Sequence, residues 1–300
     1  MNYKVLISVP LLSIAVVSNS FCQKNDKKLM IRKGFESLDD KKDPAMASLT
    51  VPQSGSNSYL INAGISYALT KLKHLKDKSK KNSTLFSFVL NKNTMIKKEQ
   101  NNFKLGVTWN YKVGRTDSIK SSYFMWSNTG AYARNTMDTT HSVYWTSYIS
   151  MIRIKKSKKG EKTGVFVNAY KPFKSNSPWE YFLGWSFGPE YQQKFNSSSE
   201  KDIGGVFRAF YTTEFRVRKK IRDDIGDPIF DLILSNKGRY DLINNTKTKE
   251  GYLPLVKFEL EYYPTKNTDF SIGFSYNTGS DPIAGLEQQD YYLLAMKFKK

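Results

Sequence analysis

Residues 103–113, which read FKLGVTWNYKV, constrain the fold of this chain most, because their side chains alternate strictly in character. The odd-numbered positions are apolar or aromatic, and the even-numbered positions are small, polar or charged. Successive side chains of a β-strand point to opposite faces, so the pattern predicts a strand with one apolar and one polar face. At about 3.3 Å per residue, a tilted strand of this length can cross the apolar layer of a membrane. The lipid-facing candidates are Phe103, Leu105, Val107, Trp109, Tyr111 and Val113.

Similar alternating runs, separated by turn signals, follow one another from residue 57 to the end of the chain. With a doubtful run at 229–234 included, the count is about twelve strands, and ten or fourteen are the alternatives. The sequence therefore predicts an all-β fold, a transmembrane antiparallel up-and-down β-barrel of about twelve strands. The predicted strands are residues 59–70, 84–95, 103–113, 121–134, 141–155, 164–170, 179–188, 207–217, 229–234, 256–262, 270–276 and 292–298.

The apolar faces could instead pack against each other in a secreted β-sandwich, whose strands also alternate. Three features favour lipid. The predicted strands often exceed the mode of about five or six residues in globular proteins. Aromatic residues make up 14% of the chain, and many stand near predicted strand ends, where a membrane girdle needs them. The polar faces carry charges of both signs in mid-strand, as the lining of a barrel would.

Residues 1–22 have the pattern of a secretory signal peptide. Lys4 precedes a short apolar run, and small residues follow that run. We predict cleavage after Cys22, which leaves Gln23 as the new N-terminus. The alternative is a lipoprotein signal in which Cys22 is acylated; Phe21 argues against it, because such signals carry a small residue directly before the cysteine.

The exported part of the chain is expected to divide at residue 56. Residues 23–56 are polar and turn-rich, and we interpret them as a periplasmic lead-in or as a plug inside the barrel. Residues 57–300 are predicted to form the outer-membrane β-barrel. Since Cys22 is the only cysteine, the mature chain has neither a disulfide nor a cysteine metal site. The expected location is the outer membrane of a Gram-negative cell.

The chain has a formal net charge of +20, from 47 Lys and Arg against 27 Asp and Glu. Such a balance would suggest nucleic acid as the partner of a cytoplasmic protein. Export and the clustering of basic residues in turns exclude that interpretation. The expected partners are outer-membrane lipid and lipopolysaccharide, with small anionic solutes as further candidates. The simpler alternative is that the basic residues only keep loops and turns soluble.

The predicted strands also suggest which links face outward. If the first strand runs outward, most of the longer links fall outside and both termini fall in the periplasm, as expected for a bacterial barrel. The predicted outer loops are residues 71–82, 114–120, 156–162, 194–203, 236–251 and 278–286. The predicted periplasmic turns are residues 96–101, 135–139, 172–178, 219–227 and 264–267.

The chain resembles outer-membrane β-barrel proteins of the Bacteroidota type. The resemblance rests on the signal that ends before Gln23, the alternating strands and the closing hairpin at 270–300. It departs from the C-terminal assembly signal of such barrels in two ways: two lysines follow the terminal aromatic residue, and the customary glycine is Leu293. The resemblance implies the barrel architecture and names no substrate. The residues that match the assembly signal are Tyr292, Leu294, Met296 and Phe298.

If the chain resembled a lipid-modifying barrel enzyme, it would need the histidine and serine of a hydrolase close together near the membrane edge. His141 and Ser142 are adjacent and therefore point to opposite faces of a strand. Ser147 shares the face of His141 but lies too far along the strand. His74 stands in a lysine-rich loop. We therefore expect no enzyme activity and assign no catalytic residue, with a barrel hydrolase as a minor alternative.

No metal or cofactor is expected from the sequence. Two distant histidines without a thiolate make a poor metal ligand set. An acidic group in the weakest part of the pattern could bind calcium, but its spacing does not match an EF-hand loop, so a solvated turn is the simpler interpretation. There is no phosphate-binding loop and no dinucleotide fingerprint. The acidic group is Asp223, Asp224, Asp227 and Asp231.

A twelve-stranded barrel lies between small barrels filled by side chains and open porins of sixteen or more strands. The sequence therefore favours a narrow channel or transporter for small solutes, and the positive excess favours anions. If the interior charges pair and fill the lumen, the barrel would instead be a structural protein or a surface receptor. A secreted β-sandwich adhesin is a further alternative. The lumen-lining candidates are Lys104, Lys112, Arg208, Glu214, Arg216, Lys257, Glu259 and Glu261.

Overall fold

A computed structural model gives the conformation of the greater part of the chain. Within the described ranges, no helix is long and apolar enough to cross a membrane. The predicted signal peptide, residues 1–22, lies outside them. The described residues are 29–32, 45–52, 58–69, 82–94, 100–116, 120–137, 139–155, 167–174, 177–196, 202–220, 228–247, 251–264, 270–281 and 286–298.

The regular structure of these ranges consists of long strands, in which Val, Ile, Phe, Tyr and Trp occupy many positions of one face, as suits the pleated surface of a sheet. The strands are β1 (Leu29–Arg32), β2 (Ala45–Pro52), β3 (Ser58–Ala68), β4 (Asn82–Asn93), β5 (Gln100–Thr116), β6 (Lys120–Asn135), β7 (His141–Lys155), β8 (Tyr170–Pro172), β9 (Trp179–Asn196), β10 (Gly204–Lys220), β11 (Pro228–Asn244), β12 (Tyr252–Tyr262), β13 (Phe270–Asp281) and β14 (Leu286–Phe298).

All of these strands except β1 and β8 form a closed antiparallel ring. The order around the ring is the order along the chain, so each strand pairs with the one before it and the one after it. The ring closes where β14 pairs with β2, from Tyr291 opposite Pro52 to Phe298 opposite Ala45. β2 in turn pairs with β3. The prediction of an antiparallel up-and-down barrel of twelve strands is confirmed.

One of the twelve predicted strands is nevertheless wrong. The described part of the predicted strand 164–170, residues 167–170, does not contribute a strand to the ring; β8, which begins at Tyr170, pairs only at the edge of β9 among the described residues. β2 takes the twelfth place, although it lies within residues 23–56, which we had assigned to a lead-in or plug. The barrel therefore begins no later than Ala45 and not at residue 57. Closure is the physical reason, because without β2 the edges of β3 and β14 would present unpaired backbone groups.

This exchange also corrects the predicted sidedness of the links. β2 begins and β14 ends at the same end of the barrel, which we call the terminal end. Counting alternate crossings from β2 shows that β3, β5 and β7 also end there, whereas β9, β11 and β13 end at the opposite end. The six predicted outer loops are therefore divided between the two ends, three at each, and the single-sided assignment was wrong.

The two strands outside the ring extend its wall near the terminal end. β1 pairs with β3 opposite residues 64–67, beyond the point where β2 begins. β8 pairs with β9 opposite residues 180–182, where the ladder between β7 and β9 has ended. β1 is therefore a strand at the wall and not a plug across the lumen.

Side-chain burial in the wall is inverted relative to a water-soluble protein. In β5, Leu105 is 58% exposed and Trp109 is 41% exposed, whereas Thr108 and Asn110 are each 2% exposed. The same inversion occurs along β10 and β12, where apolar residues are exposed and charged residues are buried. Water-soluble monomers rarely expose apolar surface on this scale. The exposed apolar residues include Ile65, Phe88, Leu105, Phe124, Phe187, Phe215, Leu234, Leu260, Phe274 and Leu294.

Candidate functional site in the barrel interior

The inner face of the ring carries the candidate functional residues. Burial identifies it, because polar and charged positions such as Thr108, Arg208 and Glu259 are almost fully buried whereas the apolar positions beside them are exposed. Arg239 on β11 reaches Glu190 on β9, and Lys297 on β14 reaches Glu259 on β12. The predicted lumen-lining residues share this face, and the predicted lipid-facing residues lie on the other. The inward set is Lys104, Lys112, Arg208, Glu214, Arg216, Lys257, Glu259 and Glu261; the outward set is Phe103, Leu105, Val107, Trp109, Tyr111 and Val113.

One charge network lies toward the opposite end and centres on Glu190, which is 1% exposed; we call it the Glu190 network. Arg239 Nε donates to both carboxylate oxygens of Glu190, at 3.0 and 2.9 Å. Arg239 Nη1 also lies 3.0 Å from Asp281. Arg208 Nη1 approaches Glu190 at 3.4 Å, and its Nε donates to Asp241 at 2.7 Å. Two arginines and three carboxylates thus connect β9, β10, β11 and β13.

A second network, which we call the Asp231 network, lies toward the terminal end. Arg218 donates to both oxygens of Asp231, from Nε at 2.8 Å and from Nη2 at 2.9 Å. Arg216 Nη1 donates to the same carboxylate at 3.3 Å and forms an ion pair with Glu214 at 3.0 Å. Such bidentate arginine contacts are among the stronger hydrogen bonds in proteins. This geometry supplies a fully buried carboxylate with two cationic partners.

Tyr263, directly after β12, completes the Asp231 network. Its hydroxyl donates to Asp231 Oδ2 at 3.1 Å. Burial raises the pKa of the Tyr263 phenol, and the nearby Glu261 and Asp231 carboxylates raise it further. The phenol therefore remains a protonated donor, and Asp231 accepts hydrogen bonds from three side chains.

A third network, which we call the Glu259 network, links β12 with β13 and β14. Lys257 Nζ lies 2.7 Å from one oxygen of Glu259, and Lys297 Nζ lies 2.5 Å from the other. Lys297 also approaches Glu261 at 3.5 Å, and Ser271 donates to Glu261 at 2.5 Å. Glu259 and Glu261 therefore share Lys297, and the network spans β12, β13 and β14.

The half of the ring from β3 to β7 presents a different lining. Ser66 and Ser87 are hydrogen-bonded at 2.6 Å, and Thr108 and Thr129 at 2.9 Å. Small residues on this face leave little side-chain volume, and Gly106 lies directly against Ala131. This half of the interior thus carries hydroxyl and amide side chains together with the buried apolar Leu85, Val89 and Tyr144, and the other half carries the ion pairs of β9 to β14.

Lys104 and Lys112 extend from the hydroxyl-lined half and lie apart from the three networks. Lys112 Nζ lies 4.3 Å from the centre of the Tyr123 ring, and Lys104 Nζ lies 5.7 Å from that of Tyr144. Aromatic faces attract ammonium groups without neutralising their charge. Both lysines are half-buried and keep part of their surface accessible.

In the described ion pairs, the cations are more exposed than the acids. Seven of the eight acidic side chains are at most 8% exposed, and Glu214 at 31% is the exception. Five of the eight cationic side chains, by contrast, are at least 12% exposed: Arg216, Arg218, Lys220, Lys237 and Lys257. In most of these pairs, the more exposed partner is therefore the cation.

Sequence reasoning missed several members of the networks. Lys297 follows the same alternation as the predicted candidates, since Met296 beside it is exposed, so parity could have found it. Asp231 had been grouped with Asp223, Asp224 and Asp227 as a solvated turn. That assignment is wrong for Asp231, which lies in β11 and is fully buried; its three companions lie outside the described residues. The other missed members are Glu180, Glu190, Arg218, Lys220, Lys237, Arg239, Asp241 and Asp281.

The residues considered for hydrolysis have other contacts in the structure. His141 Nδ1 is hydrogen-bonded to the hydroxyl of Tyr132 at 2.5 Å, and Ser147 Oγ accepts a hydrogen bond from Trp126 Nε1 at 2.7 Å. Ser142 is buried on the inner face, opposite to His141. His74 lies outside the described residues. The geometry does not bring a histidine and a serine together among these residues.

Comparison with known proteins gives only distant structural neighbours. No protein-family model and no curated protein matches the sequence. The chain is similar to the translocator domain of the autotransporter NalP from Neisseria meningitidis, with 7% identity over 98% of this chain and 95% of that chain and a TM-score of 0.36. It is also similar to OccK11 (OpdR) from Pseudomonas aeruginosa, with 9% identity over 92% of this chain and 98% of that chain and a TM-score of 0.27. The description of the fold therefore rests on the strand pairing of this chain itself.

Proposed function

We propose that the protein is an outer-membrane β-barrel that forms a narrow passage for small anionic solutes. The observation that carries the proposal is the exposure of the interior ion pairs, in which seven of the eight acids are almost fully buried and five of the eight cations are partly exposed. A lumen with this arrangement presents positive charge to a solute and has a polar hydroxyl-lined surface opposite.

The membrane location is supported by closure of the ring together with its apolar exterior. Closure satisfies the backbone hydrogen bonds between strands, which is what a sheet needs within hydrocarbon. An exterior band of Leu, Ile, Phe and Trp is stable in contact with lipid and unfavourable in contact with water. The resemblance of the closing hairpin supports a barrel of the Bacteroidota type, and export would depend on the signal predicted in residues 1–22.

Anion preference would follow from lysines whose side chains are only partly buried, including Lys257, which is 24% exposed although its Nζ pairs with Glu259. Lys112 and Lys257 stand on different halves of the ring, and neither side chain is fully buried. Two positive groups near a narrow passage attract anions and repel cations. The acids would oppose this effect less than their number suggests, because most of them are more deeply buried than the cations they pair with.

Conductance across a planar lipid bilayer tests the proposal. With a KCl gradient across the membrane, we expect unitary current steps and a reversal potential shifted toward the equilibrium potential of chloride. Lys257→Gln should lower the ratio of chloride to potassium permeability by up to about fivefold, since a charge at about 4 Å in water contributes about 1 kcal/mol. Lys112→Gln should act in the same direction.

Lys171→Gln is the matched control, because Lys171 lies on β8 opposite the outward-facing Tyr181 and should not affect selectivity. Cation preference in the wild-type protein would contradict the proposed selectivity. If folded protein inserts but gives no unitary steps, the passage is closed and the ion networks serve a structural or surface-receptor barrel instead.

A further inference from the structure

The outer wall has an apolar recess toward the opposite end of β9 to β12. Its volume is about 460 Å³, within the usual range of small-molecule sites. Ala209 forms the base between two larger outward residues of the same strand, Phe207 and Tyr211. Pro189 on β9 and Tyr240 on β11 pair with Ala209 on either side. The remaining outward side chains at the rim are Phe187, Leu242 and Tyr252.

The recess exists because Tyr211 leans away from it. Its ring lies over Gly238 on β11, where any Cβ atom would overlap the ring. Its hydroxyl is hydrogen-bonded to the Tyr252 hydroxyl at 2.7 Å, two strands away. Asn236 Nδ2 donates to the same hydroxyl at 3.1 Å. These contacts hold the ring across β11 and leave the surface between Phe187 and Ala209 open.

Asn236, which donates to the Tyr211 hydroxyl, is an unusual residue for an outward face. Asn236 lies on the same face of β11 as the exposed Leu234 and Tyr240, and its Oδ1 is buried without a partner among the described residues. A polar side chain on a lipid-facing surface is unfavourable and usually has a functional reason. Here the hydrogen bond to Tyr211 gives that reason, because it keeps the recess open.

We propose that this recess binds one acyl chain of a membrane lipid. The inference rests on the membrane location in the proposed function and goes beyond it by assigning a site on the outer wall. The outward side chains that line the recess are apolar or aromatic, although Arg208 and Arg239 also border it, and the exposed apolar band that continues around the wall would place hydrocarbon chains next to it. A chain that enters the recess buries more apolar surface than one that lies against the convex wall elsewhere.

Photo-crosslinking tests the proposal. The full-length protein is reconstituted in phosphatidylcholine vesicles that contain a phospholipid with a diazirine on its acyl chain, and the labelled peptides are mapped by mass spectrometry. We expect labelling to concentrate on Ala209, Tyr240 and their neighbours relative to outward residues of β3 to β6. Ala209→Phe fills the recess and should lower this ratio roughly tenfold, because several buried methylene contacts are lost.

Ala63→Phe is the matched control, since it makes the same change on β3, distant from the recess, and should leave the ratio unchanged. Gly238→Ala is a smaller second variant: it displaces the Tyr211 ring and should also lower the ratio. Even labelling around the wall would overturn the proposal. A complete lack of labelling on outward residues would instead show that the membrane location itself is wrong.

Discussion

Asp231 shows how single side chains of the interior are held. A carboxylate removed from solvent loses several kcal/mol of hydration free energy unless it is paired and fully hydrogen-bonded. Its partners come from two neighbouring positions of one face of β10, Arg216 and Arg218, and from Tyr263 after β12. Asp231 therefore joins β10, β11 and the end of β12, and its removal should destabilise the packing of all three.

Replacement of Asp231 by Asn should destabilise the barrel by about 3–5 kcal/mol, because it leaves two arginines without their buried counter-charge while the side-chain shape is kept. The measurement is the guanidinium midpoint of the detergent-solubilised protein, followed by tryptophan fluorescence. Glu214→Gln is the control, since this partly exposed acid pairs with Arg216 alone among the described residues and should contribute no more than about 1 kcal/mol. Equal shifts for the two variants would contradict the central role of Asp231.

For a single residue, the sequence could predict which face of the sheet its side chain occupies, but not which side chain it contacts there. The period of two placed Lys104, Arg208 and Glu259 on the inner face, because successive residues of a strand point to opposite sides. The pairing of Arg239 with Glu190 depends on the register of β9, β10 and β11 together. Alternation within one strand contains no information on register between strands, so the networks could not be derived from it.

Among the elements, β2 and β8 show where strand prediction failed. Residues 164–170 are predicted as a strand, but in their described part β8 begins only at Tyr170 and pairs at the edge of β9, not within the ring. Residues 45–52, AMASLTVP, alternate weakly because small residues occupy several positions, yet they pair on both sides. β2 belongs to the ring because it pairs with β3 and β14, whose edges would otherwise be open. Such a requirement belongs to the whole ring, and a window of eight residues does not reveal it.

Proline substitution should distinguish ring strands from peripheral strands. Ala47→Pro removes a ladder hydrogen bond from β2, which pairs with β3 and β14, and should destabilise the fold by about 3 kcal/mol or more. Ile31→Pro in β1 is the control: β1 pairs with β3 alone among the described strands, so the effect should be small. Resistance to protease after refolding in detergent measures both variants. A greater loss for Ile31→Pro would contradict the ring assignment of β2.

For the molecule as a whole, the inverted distribution of side chains defines the environment in which it is stable. Exposed Leu105, Phe187 and Leu234 would favour aggregation in water, while the buried ion pairs keep the interior polar. Closure was predictable from the sequence, since about twelve amphipathic strands with mid-strand charges fit a barrel better than a sandwich. The distribution of the links between the two ends of the barrel was not predictable. Because β2 takes the place of the strand predicted at residues 164–170, every strand between these two positions in the chain runs in the direction opposite to the predicted one.

Heat-dependent gel mobility tests the barrel and its environment together. Membrane-extracted protein that is kept cold in dodecyl sulfate should migrate as a compact species. A closed ring has no unpaired edge strand at which detergent could begin to separate the sheet. Boiling should shift it to the mobility of the 34.5 kDa chain or of its processed form. The protein should also require detergent for extraction, because its exterior is apolar around the ring. A product that is soluble without detergent and shows one mobility at both temperatures would contradict the membrane barrel, and with it the passage and the acyl-chain site.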